Sequence, residues 1–170
     1  MKSRPRQMLT VLVLILTTLL PVVGSPKEIV GWTEKVYLVP GHIELKAKVD
    51  TGAESSSVNC ECHSFFKRDG ASWVRFSIRT SEGEELTLER EIVRTVRIKR
   101  HYGEVQERPV VKLGICLGGV YRVAEVNIVD RSGLDYPLLI GRNFMGDKFL
   151  VDCNAQFINP PHCDEMLRNE

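Results

Sequence analysis

Alternation of apolar and polar positions is the main structural signal in this chain. From Ile43 to Val49 every second residue is apolar, with charged residues between. A period of two over this length is typical of a strand with one buried face. Similar runs continue to about residue 129, separated by turns such as Pro40-Gly41, Asp69-Gly70 and Gly118-Gly119. The pattern predicts an all-β fold built from many short strands.

Two further elements complete the predicted architecture. Apolar alternation on both sides of His101-Tyr102-Gly103 predicts a hairpin over residues 96–111. A helix is expected only at Arg142–Met145, directly after Gly141. We therefore predict a partly closed β-barrel with one short helix after Gly141.

The first 24 residues have a different character from the rest. Lys2, Arg4 and Arg6 precede an apolar run of 16 residues from Met8 to Val23. A transmembrane helix needs about 20 apolar residues, so the run fits the core of a signal peptide better. Small residues before the cut predict cleavage after Gly24, with an uncleaved N-terminal anchor as the alternative. Under either interpretation the domain is expected to be exported.

Composition narrows the class of protein. The chain has 170 residues, of which 43% are hydrophobic and 26% charged, as expected of one globular domain. Its formal net charge is +1, and it becomes −2 without residues 1–24. No nucleic-acid partner is therefore expected. The phosphate-binding motif G-x-x-x-x-G-K-[ST] is absent, so we expect neither ATP nor another cofactor.

The cysteines bear on redox state and on metal binding. An exported chain can form disulfides, and an odd number leaves at least one thiol unpaired within the chain. The spacing does not decide which thiols pair. His63 and His162 lie beside cysteines, which keeps a zinc site open, but C-x-C is closer than the usual zinc spacing. No metal site is therefore predicted. The cysteines of the chain are Cys60, Cys62, Cys116, Cys153 and Cys163.

Asp50, at the end of a predicted buried strand, is the main candidate for chemistry. Thr51 can hydrogen-bond to backbone, and Gly52 permits a tight turn whose N–H reaches the carboxylate. Two such carboxylates held together share one proton, so one acts as base toward water and the other as acid. The Asp-Thr-Gly motif occurs once. A second copy of the chain would have to supply the other carboxylate.

A second motif, Tyr136–Asn143, is an apolar run that ends in glycine before the predicted helix. With both motifs the sequence resembles the retropepsin-like (acid protease) aspartic proteases. It is most similar to the bacterial retropepsin-like aspartic endopeptidases long labelled "ATP-dependent zinc protease". The resemblance covers about residues 28–160, which gives a domain over 25–160. The residues after Pro160 are polar and predict an exposed tail over 161–170. The matching stretches are Asp50–Ala53, Glu107–Val110, Leu117–Gly119, Asp130-Arg131, Leu138–Arg142 and Val151-Asp152.

The resemblance implies roles for individual residues. Asp50 would be the catalytic aspartate, with Thr51 interlocking across a homodimer and Gly52 beneath the carboxylate. The hairpin over residues 96–111 would be the flap that closes over substrate, with an ordinary solvated β-arm as the alternative. Substrate contacts are implied for Ala53, His101, Tyr102 and Gly103. Structural support is implied for Glu54, Leu139, Ile140, Gly141 and Arg142. An ion pair is expected between Glu54 and Arg142.

The expected protein is an exported, periplasmic homodimer that hydrolyses peptide or isopeptide bonds. It would contact a membrane only if the N-terminal segment were retained. Because Ala53 lacks a hydroxyl, we expect a mildly acidic working range. Residues 60–91 exceed what a retroviral protease needs and are interpreted as an inserted hairpin. Arg131 is interpreted as half of a surface pair with Asp130, with a substrate clamp as the alternative. The alternatives are a non-catalytic binding domain on the same fold and a zinc-dependent peptidase.

Overall fold

The computed structural model describes residues 26–80, 82–99 and 104–163, without the side chains of residues 62 and 63. The predicted signal segment, the hairpin tip at residues 101–103 and residues 164–170 lie outside this description. Within it, no helix combines the length and the apolar character needed to cross a bilayer.

The described chain is almost entirely strand, as the alternation predicts. The single helix among the described residues, α1, lies where the sequence places it. The elements in chain order are β1 (Glu28–Val39), β2 (Ile43–Val49), β3 (Ser56–Asn59), β4 (Glu61–Arg68), β5 (Ala71–Arg79), β6 (Glu85–Glu91), β7 (Arg94–Lys99), β8 (Val105–Leu117), β9 (Val120–Val129), β10 (Leu138–Ile140), α1 (Arg142–Met145) and β11 (Phe149–Gln156).

Six strands form a closed barrel. They follow the order β1, β2, β10, β3, β9 and β8, while β11 and β7 extend the sheet at its two ends. Pairing of Tyr37, Leu38 and Val39 with the end of β8 joins the last barrel strand to the first. The prediction of an all-β barrel is confirmed. The barrel is fully closed, whereas the sequence predicted a partly closed one.

Period-two alternation decides which side chains enter the barrel. In β2 the apolar residues Ile43, Leu45, Ala47 and Val49 are all buried. Burial of a valine- or leucine-sized side chain contributes about 1.5–3 kcal/mol, so a register slip of one residue would be costly. This burial holds β2 in the register that places the following residue, Asp50, at its end.

The segment between the first motif and the flap is a three-stranded sheet, which corrects the expected inserted hairpin. Strand β5 pairs with β4 on one side and with β6 on the other. Its buried residues Val74, Phe76 and Ile78 belong to the same apolar core as the barrel. The inserted sheet is therefore packed against the domain.

The described part of the expected polar tail, residues 161–163, ends in a residue that is anchored to the barrel. Cys163 is 4% exposed and is disulfide-bonded to Cys116. The buried Glu34 carboxylate accepts hydrogen bonds from the backbone N–H groups of Gly31, Ile158 and Asn159. The folded domain extends to at least residue 163.

Candidate active site

The loop after β2 holds the Asp50 carboxylate through its own backbone. The N–H groups of Gly52 and Ala53 donate to Asp50 Oδ1 at 2.9 and 3.2 Å. The N–H of Asp50 donates to the carbonyl of Ile140 at 2.9 Å, which ties the loop to β10. Asp50 is partly exposed, whereas Thr51 and Gly52 are exposed. The carboxylate is thus fixed in orientation but not enclosed by its own chain.

Arg142 braces this loop from the following helix. Its Nη1 donates to the carbonyl oxygens of Thr51 and Gly52 at 2.9 and 2.8 Å. Its backbone N–H donates to the carbonyl of Ala53 at 2.9 Å. The predicted ion pair with Glu54 is wrong, because no ion pair joins these side chains among the described residues. The arginine contacts backbone carbonyls, which fix the loop's shape directly.

A polar network joins the loop, α1 and the neighbouring strands. Ser56 Oγ donates to Asn143 Oδ1 at 2.8 Å and accepts from the N–H of Gly141 at 3.0 Å. Asn127 Nδ2 donates to the carbonyl of Ser56 at 2.7 Å. A Cβ on Gly141 would lie 2.6 Å from the backbone carbon of Ser55, so only glycine fits there. The second motif therefore supports the first by close backbone contact.

Two arginines approach the Asp50 side of the sheet. Arg131 is 8% exposed, and its Nη1 donates to Ser57 Oγ at 3.0 Å while its Nε donates to the carbonyl of Tyr136 at 3.2 Å. Burial lowers the pKa of the Arg131 guanidinium, the charge of Arg108 lowers it further, and the Asp50 carboxylate raises it. The expected surface pair with Asp130 is therefore wrong. Arg131 is an interior cation within electrostatic reach of the candidate catalytic carboxylate.

The predicted flap hairpin is present up to its tip. Strands β7 and β8 pair from Arg94 with Val110 to Lys99 with Val105. Arg108 on this hairpin donates from Nη1 to Asn127 Oδ1 at 3.1 Å. The hairpin is thereby connected to the network around the loop.

Comparison of the sequence with known proteins identifies one family. A family model described as "Retropepsin-like aspartic endopeptidase RimB", of the RimB-like family, matches residues 29–162. The chain belongs to the RimB-like family. The crystal structure of Lpg0085 from Legionella pneumophila, a protein described as of unknown function, superposes with a TM-score of 0.67 at 33% identity. That match covers 80% of this chain and 99% of the other.

Curated relatives of this RimB-like chain carry a different name. It is 34% identical over 116 residues to a probable alpha-L-glutamate ligase of Shewanella halifaxensis, and 28% identical over 111 residues to one of Desulfotalea psychrophila. These matches cover 66% and 64% of this chain but 25% and 24% of the relatives. The chain thus spans about a quarter of the length of these proteins.

The structure places the predicted residues of both RimB-like motifs together. The loop of Asp50 packs on Ile140, Gly141 and Arg142, while the predicted contacts at His101, Tyr102 and Gly103 lie outside the described residues. Sequence reasoning assigned no role to Ser56, Asn127 or Asn143, nor to Lys48, which stands two residues before Asp50. Period-two spacing along β2 was the available signal for Lys48.

The zinc alternative finds little support in the described donors. Cys163 and Cys60 are disulfide-bonded, so neither offers a thiolate in this state. Among the side chains that the structure describes, no three His, Cys, Asp or Glu residues are grouped as metal ligands would be. The side chains of Cys62 and His63 lie outside that description.

Proposed function

We propose that this chain is an aspartic endopeptidase that acts as a homodimer, with one Asp50 from each copy at the shared active site. The observation that carries the proposal is the Asp50 carboxylate, oriented by two backbone amides and left partly open to solvent. A single copy has half of the required pair of carboxylates. The family membership supports the same activity.

In the proposed reaction the two Asp50 carboxyl groups share one proton, because two adjacent carboxylates do not both stay ionised. The ionised group takes a proton from a water, and the resulting oxygen nucleophile attacks the carbonyl carbon of the substrate. The protonated group donates to the carbonyl oxygen. Collapse of the tetrahedral intermediate breaks the C–N bond, and the leaving nitrogen takes up a proton. No covalent enzyme intermediate forms.

We further propose substrates that contain glutamate. The curated relatives are named probable alpha-L-glutamate ligases, and joining glutamates produces peptides rich in carboxylates. Hydrolysis of peptide or isopeptide bonds in such products would be the opposing reaction. The positive charge of the basic side chains near Asp50 suits the negative charge of such substrates.

Export is part of the proposal and rests on the N-terminal basic and apolar pattern. A disulfide between Cys116 and Cys163 is compatible with an oxidising compartment such as the periplasm. Cell fractionation of the full chain, with N-terminal sequencing of the mature form, tests both export and cleavage after Gly24. Recovery of full-length protein from the cytoplasm would contradict export.

The activity test compares wild type with Asp50→Asn on a diverse peptide library in excess EDTA, scanned over pH. Asp152→Asn is the matched control, because this exposed carboxylate on β11 also accepts a backbone amide, from Asn154 at 2.8 Å. We expect cleavage by wild type and by the Asp152 variant, and none by the Asp50 variant. Sedimentation equilibrium should show a dimer. Activity that survives Asp50→Asn would refute the aspartic mechanism.

A non-catalytic binding domain is the second candidate. It is favoured by the curated relatives, in which the matched region makes up only about a quarter of a chain named as a ligase. Peptides that bind equally to wild type and to Asp50→Asn, with neither protein cleaving them, would favour this candidate.

A further inference from the structure

A small cavity lies beside the Asp50 loop. Its volume is about 210 Å³, and it is lined by Trp32, Lys48, Arg131, Leu134, Asp135 and Tyr136. Pockets for drug-sized ligands usually measure about 300–1,000 Å³. The cavity therefore suits a single amino-acid side chain.

Strand register places this cavity on the same face of the sheet as Asp50. Val49 is buried in the barrel, so Lys48 and Asp50, on either side of it, both project from the opposite face. Leu139 pairs with Lys48 on β2 and with Ser57 on β3. Lys48, Leu139 and Ser57 thus form one row, because residues paired across strands share a face. Arg131 lies at the end of this row through its hydrogen bond to Ser57 Oγ.

The cavity presents the positive charges of Lys48 and Arg131, and the Asp50 carboxylate offsets the charge of Arg131 only from a distance. A guanidinium has five N–H donors, and the contacts of Arg131 with Ser57 and Tyr136 use two of them. Within the part of the chain that the structure describes, neither Arg131 nor Lys48 forms an ion pair. Asp135 is exposed and pairs with neither. A buried cation without a carboxylate partner is costly, so a buried arginine beside a reactive group marks a candidate functional site.

We propose that Arg131 and Lys48 are the residues that select a carboxylate side chain of the substrate next to the bond to be cut. This inference rests on the proposed function, because it takes the Asp50 loop as the place where the bond lies. The planar guanidinium fork of Arg131 contacts the carboxylate oxygens, as such forks do in carboxylate recognition. Lys48 adds a second charge from the strand that ends in Asp50.

Peptide binding tests the assignment independently of turnover. Isothermal titration calorimetry at physiological salt would compare hexaglutamate with hexaglutamine, using the full mature chain with Asp50→Asn so that no peptide is consumed. A charged hydrogen bond to a desolvated carboxylate predicts that hexaglutamate binds about 10- to 100-fold more tightly. Lys48→Gln and Arg131→Lys are the test variants, the second of which keeps the charge but loses the planar fork. Circular dichroism verifies that each variant folds.

Lys46→Gln is the matched control. Lys46 is an exposed lysine on the same face of β2, two residues before Lys48, and it does not line the cavity. We expect the preference for hexaglutamate to fall about twofold to fivefold in Lys48→Gln, by a similar or larger factor in Arg131→Lys, and to persist in Lys46→Gln. An equal fall in Lys46→Gln would mean that general surface charge is responsible, and would overturn the assignment.

Failure of the selectivity and failure of the proposed function give different results. Cleavage of library peptides without any preference between the two hexapeptides overturns the pocket and leaves the peptidase standing. A preference that depends on Lys48 and Arg131, without cleavage by wild type, keeps the pocket and rejects the peptidase. Absence of binding by either hexapeptide overturns the pocket.

Discussion

Replacing Arg142 with alanine tests whether the shape of the Asp50 loop depends on one side chain from the following helix. The substitution removes two hydrogen bonds from a charged donor, to the carbonyls of Thr51 and Gly52. A hydrogen bond of this kind contributes about 1.5–3 kcal/mol when buried. Arg142 is exposed, so solvent screens both bonds and we expect a total loss of about 1–2 kcal/mol. The melting temperature should fall by about 2–8 °C for a domain of this size.

The same loss should be measurable locally, at the Asp50 loop itself. The amides of Gly52 and Ala53 donate to Asp50 Oδ1, and their hydrogen exchange reports how often the loop opens. An opening that is about 1–2 kcal/mol easier predicts exchange about 5- to 30-fold faster at these two amides. Cleavage should fall about 10- to 100-fold in kcat/KM, because a small misplacement of a reacting group is costly.

Arg79→Ala is the control for Arg142→Ala. Arg79 is also exposed, and it pairs with Glu85 on the inserted sheet. Its loss should leave exchange at Gly52 and Ala53 unchanged. If the two arginine variants gave the same exchange rates at these amides, the bracing role of Arg142 would be refuted.

Three further substitutions probe the fold around this loop. Gly141→Ala should cost about 1–3 kcal/mol in urea denaturation, because its Cβ would meet backbone at 2.6 Å, whereas Gly133→Ala should be nearly neutral because nothing lies within 4 Å. Cys163→Ser should cost up to roughly 4 kcal/mol, since its disulfide spans 47 residues, while Cys153→Ser at an exposed free thiol should cost little. Hydrogen bonds from two arginines lower the pKa of Glu89 in the folded state. The stability that Glu89 contributes is therefore present above the ordinary glutamate pKa and is lost as the pH falls through the lowered pKa. In Glu89→Gln the melting temperature should therefore fall less steeply as the pH is lowered. A fall as steep as that of wild type would contradict the stabilising role of Glu89.

Local pattern predicted most of the fold. Three confirmed predictions depend only on residues close together in the sequence. They are the strand β2, the turn before it and the short helix at Arg142–Met145. Closure of the barrel was not predictable in this way, because it depends on pairing between β1 and the distant end of β8. The inserted segment was interpreted as a hairpin, although the alternation of Leu86 and Leu88 indicates a further strand. Pairing of that strand, β6, with β5 makes the inserted sheet three-stranded, and local pattern does not show which strands pair.

The position of Arg131 shows why part of the candidate site could not be predicted from the sequence. Next to Asp130, an arginine suggests a local ion pair, and composition favours the surface for both residues. In the structure Asp130 turns back to accept the N–H of Ser132 at 2.9 Å, while the arginine side chain enters the sheet face and bonds to Ser57 at a separation of 74 residues. Only the order of strands brings Ser57, Leu139 and Lys48 into one row beneath it. The motif therefore identifies the candidate catalytic carboxylate, whereas strand topology determines which charges surround it.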